Sequence, residues 1–105
     1  MKFISFVTFN VDRLADVAKA ADKLGKNPPE GYKLIAMYSC QANPFSGMEL
    51  DRGDMTSISV VECDNAEALA AANLEMTLAG ATVNRIPVLQ ISAGEAEGTV
   101  DELKM

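Results

Sequence analysis

The feature that most constrains the fold is a strand, helix, strand pattern that occurs twice within 105 residues. In each half, an apolar strand is followed by a helix that a side chain caps, and then by a second strand. Four strands and two helices in this order predict an α+β fold, a ferredoxin-like β-α-β-β-α-β sandwich, because right-handed crossovers leave few other arrangements. We therefore expect a sheet layered with two helices.

The four predicted strands differ in their side-chain patterns. The first two carry apolar bulk on both faces, which is typical of strands that are covered on both sides, and the first is expected at the centre of the sheet. Pro87 lacks an amide donor, so we expect the fourth strand at an edge. The predicted strands are residues 2–9, 32–41, 55–63 and 82–92.

Capping and stop signals define the two helices. Asn10 or Asp12 is expected to cap the first helix, and Gly25 to end it in a left-handed conformation. Asp64, with Glu67 three residues later, has the spacing of a capping box and predicts the start of the second helix. That helix is expected to continue to residue 79, just before a glycine.

Two segments show neither a helical nor a strand period. Residues 42–54 are rich in Asn, Pro, Ser and Gly with interspersed charges, which predicts turns and loops. Residues 93–105 form a C-terminal tail, in which a short helix at 99–105 is marginal unless it is docked. No linker divides the chain, so residues 1–92 are expected to form the core of a single domain.

Composition and charge disfavour several classes of partner. Nine Lys and Arg against fifteen Asp and Glu give a net charge of -6, so long-range electrostatics oppose binding to nucleic acid or to anionic membranes. The apolar run at residues 3–9 is too short for a signal peptide. No apolar stretch approaches the roughly 18 residues of a membrane span. We expect a cytoplasmic protein.

The chain lacks the usual ligands and bases of cofactor chemistry. It contains no His and only two Cys residues, Cys40 and Cys63. In the register that the strand pattern predicts, the two thiols lie about 20 Å apart, well beyond the Cα span of a disulfide, about 7 Å. Zinc requires four ligands and haem an axial ligand, usually His. We therefore expect two buried, reduced thiols and no metal or cofactor.

Three segments resemble a known family. The chain is similar to a small bacterial and archaeal family of unknown function at residues 28–34 (Pro-Pro-Glu-Gly-Tyr-Lys-Leu), 60–69 (Val-Val-Glu-Cys-Asp-Asn-Ala-Glu-Ala-Leu) and 83–89, with its Ile-Pro-Val-Leu. That family resembles the dimeric α/β-barrel group, in which two ferredoxin-like sheets close face to face. The group includes cofactor-free monooxygenases, haem-degrading enzymes and stress-response proteins, so the resemblance implies a dimeric fold rather than one activity.

The apolar pattern of the strands also predicts self-association. Two amphipathic helices cover only one face of a four-stranded sheet, whereas both faces of the first two strands are apolar. Ala36 and Met37 occupy opposite faces of the second strand, so we expect one of them in an interface. A homodimer joined through the uncovered face buries the same patch on both chains.

Two functional hypotheses from different classes follow. The favoured one is a binding or regulatory homodimer, not an enzyme, that holds a small apolar ligand in a cavity between the paired sheets. The alternative is a cofactor-independent monooxygenase or isomerase that acts on a small hydrophobic aromatic substrate. For both, the candidate ligand-binding residues are Tyr38, Glu62 and Arg85. Tyr38 is expected on the same face of the second strand as Tyr32. Glu62 is near the end of the third strand, and Arg85 is on the fourth. No residue is assigned as catalytic.

Overall fold

The structure, a computed structural model, describes residues 1–42 and 53–104. These residues form a four-stranded sheet and three α-helices, with a short 3₁₀ turn before the first helix. The strands are β1 (Lys2–Asn10), β2 (Tyr32–Ser39), β3 (Asp54–Cys63) and β4 (Thr82–Val88), the helices are α1 (Leu14–Lys26), α2 (Ala66–Leu78) and α3 (Ala96–Leu103), and the turn is Val11–Arg13. Of the predicted irregular segment 42–54, residues 43–52 lie outside the described residues.

All strand pairs are antiparallel, and the strand order is β2-β3-β1-β4. The prediction of a central first strand is confirmed, because β1 pairs with both β3 and β4. The edge position of β4, predicted from Pro87, is also confirmed. β4 ends at Val88 rather than at residue 92, because Val88 pairs with Lys2, the first residue of β1. The residues after Val88 have no β1 residue opposite them in the strand register.

A capped turn and a proline set the limits of α1. The Asn10 side chain caps the 3₁₀ turn by accepting a hydrogen bond from the Asp12 amide at 3.1 Å. The prediction that Gly25 ends the helix is wrong, because Gly25 lies inside α1 and does not adopt a positive φ. The helix stops before Asn27, which precedes a proline and is therefore disfavoured in helical backbone.

α2 begins one residue later than predicted. Its cap is Asn65, whose Oδ1 accepts a hydrogen bond from the Ala68 amide at 2.7 Å, and not Asp64. The Asp64 carboxylate has another partner, since the Met1 α-amino group donates to it at 2.8 Å. The helix ends two residues before Gly80, which has a φ of +101°, a conformation that glycine adopts without steric cost.

α1 and α2 pack on the same face of the sheet, which we call the helix face. Their buried side chains meet alternate side chains of the strands, so the hydrophobic core lies between the two layers. Alanines supply much of the helical side of this core, which lets the helices approach the sheet closely. The core residues are Val7, Phe9, Val17, Ala20, Leu24, Tyr32, Val61, Cys63, Ala68, Ala72, Met76 and Ala81.

The opposite face, which we call the open face, is covered by neither α1 nor α2. Strand register arranges most of its side chains in four rows that run across the sheet. The two middle rows are mostly apolar and consist of Ala36, Val60, Ile4 and Ile86, and of Tyr38, Ile58, Phe6 and Asn84. The outer rows are mostly polar and consist of Lys33, Glu62, Lys2 and Val88, and of Thr56, Thr8 and Thr82. An apolar band with polar margins is the usual anatomy of a protein interface.

A bulge in β2 moves one predicted site residue to the other face of the sheet. Tyr32 and Tyr38 are six positions apart, so an unbroken strand places both on one face, as predicted. The register shifts between Leu34 and Ala36, and the extra residue there moves the later side chains to the opposite face. Tyr32 is buried on the helix face and Tyr38 lies on the open face, so the prediction of a shared face is wrong.

The C-terminal tail forms a helix that starts earlier than predicted. α3 begins at Ala96, and the Thr99 hydroxyl donates a hydrogen bond to the Glu95 carbonyl at 3.2 Å. None of its residues is buried, so the helix adds nothing to the core. Within the described part of the chain, no helix is long and apolar enough to cross a membrane.

Candidate functional site

An apolar cleft of about 290 Å³ lies between α1 and the strands, near the C-terminal end of β2 and the N-terminal end of β3. In the sequence, β2 precedes residues 43–52 and β3 follows them. Its volume is at the lower end of the range for small-molecule sites, about 300–1,000 Å³. One wall is formed by α1, through Leu14, Val17, Ala18 and Ala21. The strands contribute the apolar side chains of Phe9, Met37 and Met55. Ser39 and Ser57 line it from the same face of the sheet, and the lining is completed by Tyr38 and Thr56, whose side chains lie on the open face.

The cleft exists because α1 presents small side chains at this point. Ala18 and Ala21 are about one turn apart on α1 and line the same cleft as Phe9 and Met55 of the strands. Methyl side chains reach only part of the way to the sheet, so a gap stays between the two layers. Sequence reasoning missed this site because a gap between two elements has no motif, and the alanine spacing on α1 was its one signal.

Arg85 lies on the helix face, and neutral groups hold its guanidinium on three sides. Its Nη1 donates a hydrogen bond to Ser5 Oγ at 2.8 Å, and its Nε donates to Asn73 Oδ1. The guanidinium carbon lies 5.5 Å from the centre of the Tyr32 ring, which is a cation–π contact. No carboxylate of the described residues forms an ion pair with Arg85. Its charge is therefore compensated by neutral groups alone.

A second, smaller cavity of about 20 Å³ adjoins Arg85. This volume is enough for about one water molecule. Met37 and Ala21 line both this cavity and the cleft, so they form the wall between the two spaces. The helix face thus holds an apolar cleft and, on the far side of a methionine, a positively charged group.

The structure does not bring the three predicted site residues together. Tyr38 is 62% exposed on the open face, and its register partner is Ile58. Glu62 is on the same face but four residues further along β3, a separation of about 14 Å. Arg85 points to the opposite face of the sheet, where it contacts Ser5. Their role in binding a ligand stays a prediction.

Glu62 has a partner at the polar margin of the open face. Its side chain is 43% exposed and accepts a hydrogen bond from the Met1 α-amino group at 3.3 Å. The pKa of this amino group is raised from its ordinary value of 8.0, first because it donates a hydrogen bond to Asp64 and then because it donates one to Glu62. The two carboxylates therefore hold a positive charge at this corner of the sheet.

The two cysteines differ in burial. Cys63 is 3% exposed and its thiol donates a hydrogen bond to the Asn65 carbonyl at 3.2 Å. Cys40 follows the last residue of β2 and is only half-buried, so the expectation of two buried thiols is wrong for Cys40, although both are free. The described residues contain no group of three or more His, Cys, Asp or Glu side chains placed to hold a metal ion. The absence of a metal or cofactor stays a prediction.

We expect a thiol reagent to modify Cys40 well before Cys63. Cys40 is partly accessible, whereas Cys63 is covered until β3 and α2 separate, and modification requires access to the thiolate. A short pulse of iodoacetamide should add one label to the native protein, on Cys40 by peptide mapping, and two labels in denaturant. Equal rates for the two thiols of the native protein would contradict the assigned burial.

No protein-family model matches the chain, and no curated protein does. Among solved structures, the chain is similar to the crystal structure of CutA1 from Pyrococcus horikoshii, with 11% sequence identity and a TM-score of 0.39. The match covers 95% of this chain and 96% of that chain. A similarity this low supports no inference about function or assembly, so the resemblance to a family of unknown function stays unconfirmed.

Proposed function

We propose that the protein is a homodimeric binding module for a small apolar ligand, with the cleft beside α1 as its binding site. The composition of the cleft carries this proposal. Among its described lining residues, Tyr38 alone is titratable, and none is Asp, Glu, Lys or Arg. The cleft offers apolar contact and hydroxyl groups but no acid and base placed side by side. A ligand there is bound and oriented without being transformed.

The open face supports the pairing of two ferredoxin-like sheets. Its apolar rows lie between a charged row and a threonine row, and Ala36 belongs to this face whereas Met37 does not. The four strands lie about 4.8 Å apart and are about eight residues long, at about 3.4 Å per residue. One face of the sheet therefore has a projected area of about 500 Å². Two such faces bury about 1,000 Å², the lower limit for a stable interface. A twofold axis brings the same patch from both chains.

The enzymatic alternative receives less support. Tyr38 and Glu62 belong to the open face and Arg85 to the helix face, so within one chain they do not surround one substrate. Oxygenation or isomerisation without a cofactor needs a base held beside the substrate, and the cleft has no carboxylate to act as one. A cavity between the paired sheets stays a prediction that depends on the dimer, with Tyr38 and Glu62 as its candidate lining.

A thermal-shift screen of small apolar compounds tests the proposed binding site. A compound at 100 times its Kd should stabilise the native protein by about 2.7 kcal/mol and raise Tm by several degrees. Ala18→Leu fills the cleft, so the same compound should have no effect on this variant. Ala15→Leu is the matched control, because Ala15 is exposed on α1 and outside the cleft. A compound that stabilises wild type and Ala18→Leu equally binds elsewhere, which would defeat the proposal.

A further inference from the structure

We infer that the ligand of the cleft is an amphipathic monocarboxylate, whose apolar body fills the cleft and whose carboxylate binds Arg85. This inference rests on the proposed function, because it names the ligand class of the same site. It rests on two features that are neighbours on the helix face. An apolar cleft and a guanidinium without an anionic partner lie on the two sides of one methionine, Met37.

Arg85 retains capacity to bind an anion. A guanidinium has five N–H bonds, and Arg85 uses one for Ser5 and one for Asn73. Within the described part of the chain, every fully buried side-chain nitrogen or oxygen has a hydrogen-bond partner. Nη2 of Arg85, which has no protein acceptor there, is therefore accessible. A carboxylate that reaches Nη2 forms charge-assisted hydrogen bonds, which a guanidinium favours.

The surroundings of Arg85 favour the binding of an anion beside its guanidinium. Ser5 is fully buried, so the guanidinium is held at the sheet by a group that water does not reach. Removing a cation partly from water is unfavourable, and neutral dipoles offset this less than an opposite charge does. A carboxylate beside Arg85 supplies that opposite charge.

The dimensions fit a chain of intermediate length. Ser5, next to Arg85, and Phe9, in the cleft, are four residues apart on β1, so the two ends are about 14 Å apart. Met37 stands between them, is 46% exposed, and has an unbranched side chain with three rotatable bonds. Rotation of this side chain towards solvent joins the cleft to the small cavity at Arg85. The joined space is apolar at one end and cationic at the other.

Titrations with octanoate and its neutral counterpart 1-octanol at pH 7 test the inference. We expect wild type to bind octanoate at least about tenfold more tightly than 1-octanol, because the charged hydrogen bonds are added to the same apolar contact. Butanoate, which is too short to occupy both ends, should bind more weakly than octanoate. In NMR spectra of the wild type, octanoate should shift the Arg85 Nε–H resonance, a measurement that needs no variant.

Three variants separate the contributions of charge and cleft. Arg85→Gln should weaken octanoate binding by about 10- to 100-fold and change 1-octanol binding by less than about threefold. Ala18→Leu should remove the binding of both compounds, whereas the control Ala15→Leu should keep both. Circular dichroism checks the fold of Arg85→Gln, which loses two internal hydrogen bonds. If it does not fold, Arg85→Lys replaces it and should weaken octanoate selectively, because an ammonium lacks the paired donors.

The outcomes distinguish failure of this inference from failure of the proposed function. Equal affinity for octanoate and 1-octanol, both lost in Ala18→Leu, would overturn the carboxylate assignment and leave the apolar binding site standing. Octanoate binding that is unchanged in Ala18→Leu would overturn both. If octanoate does not bind and leaves the Arg85 resonance in place, the inference is wrong, and the thermal-shift screen of neutral compounds decides the proposed function by itself.

Discussion

Replacing Ala36 by glutamate should convert the proposed homodimer to a monomer. Ala36 lies on the open face at the end of the apolar row that continues through Val60, Ile4 and Ile86. The twofold axis places the new carboxylate in the interface twice. An unpaired buried charge costs several kcal/mol, so the Kd of the dimer should rise by about two to three orders of magnitude. Light scattering coupled to gel filtration measures the mass at one fixed concentration.

Ala70→Glu is the matched control for this experiment. Ala70 is exposed on α2, away from the open face, so the same change in net charge should leave the mass of the dimer unaltered. Circular dichroism checks that both variants are folded. If Ala36→Glu keeps the mass of the dimer, the open face is not the interface, and if Ala70→Glu alone dissociates, the interface lies at α2.

Gly31→Ala should lower the free energy of unfolding by about 2–3 kcal/mol. Gly31 has a φ of +91°, which costs a residue with a Cβ about 1–2 kcal/mol. The added Cβ also collides with the side-chain amide of Asn65. Asn65 is the cap of α2 and also donates a hydrogen bond to the Glu30 carbonyl at 3.4 Å, so its displacement costs about 1 kcal/mol more. Urea unfolding at one fixed protein concentration measures the change.

Two further variants isolate the cause of this effect. Gly25→Ala should stabilise the protein by about 0.4–1 kcal/mol, because Gly25 lies inside α1 and the Cβ of the new alanine meets no atom within 4 Å. In an Asn65→Ala background, Gly31→Ala should cost less than in wild type, since the side chain that it strikes is gone. Equal costs in the two backgrounds would show that the collision with Asn65 contributes nothing.

The sequence predicted the central position of β1 and the edge position of β4 from local chemistry. Apolar bulk on both faces of β1 is typical of a strand whose two faces are covered, and the Pro87 nitrogen cannot donate to a further strand beyond β4. The helix limits were less predictable, because they depend on partners distant in sequence. Asp64 has the chemistry of a cap, but the Met1 amino group engages it, and Asn65 caps α2 instead.

The candidate site was predicted less well, for two physical reasons. The face on which a strand side chain lies depends on register. The bulge between Leu34 and Ala36 moves Tyr38, but not Tyr32, to the face opposite to the predicted one. The cleft is a gap between α1 and the strands, and gaps follow from packing rather than from a motif. Arg85 was named as a candidate ligand-binding residue, which stays a prediction, and its contact with Ser5 on the helix face required the register of β4 against β1.

The mass of the wild-type protein across dilution shows whether two copies pair. Light scattering from about 100 µM to about 1 µM should give twice the chain mass of 11.2 kDa, because the apolar rows of the open face are then buried against a second copy. Dissociation should begin only below that range and should accompany loss of thermal stability. A mass of 11.2 kDa throughout the range would rule out the proposed homodimer, because the open face is then not an interface between two copies.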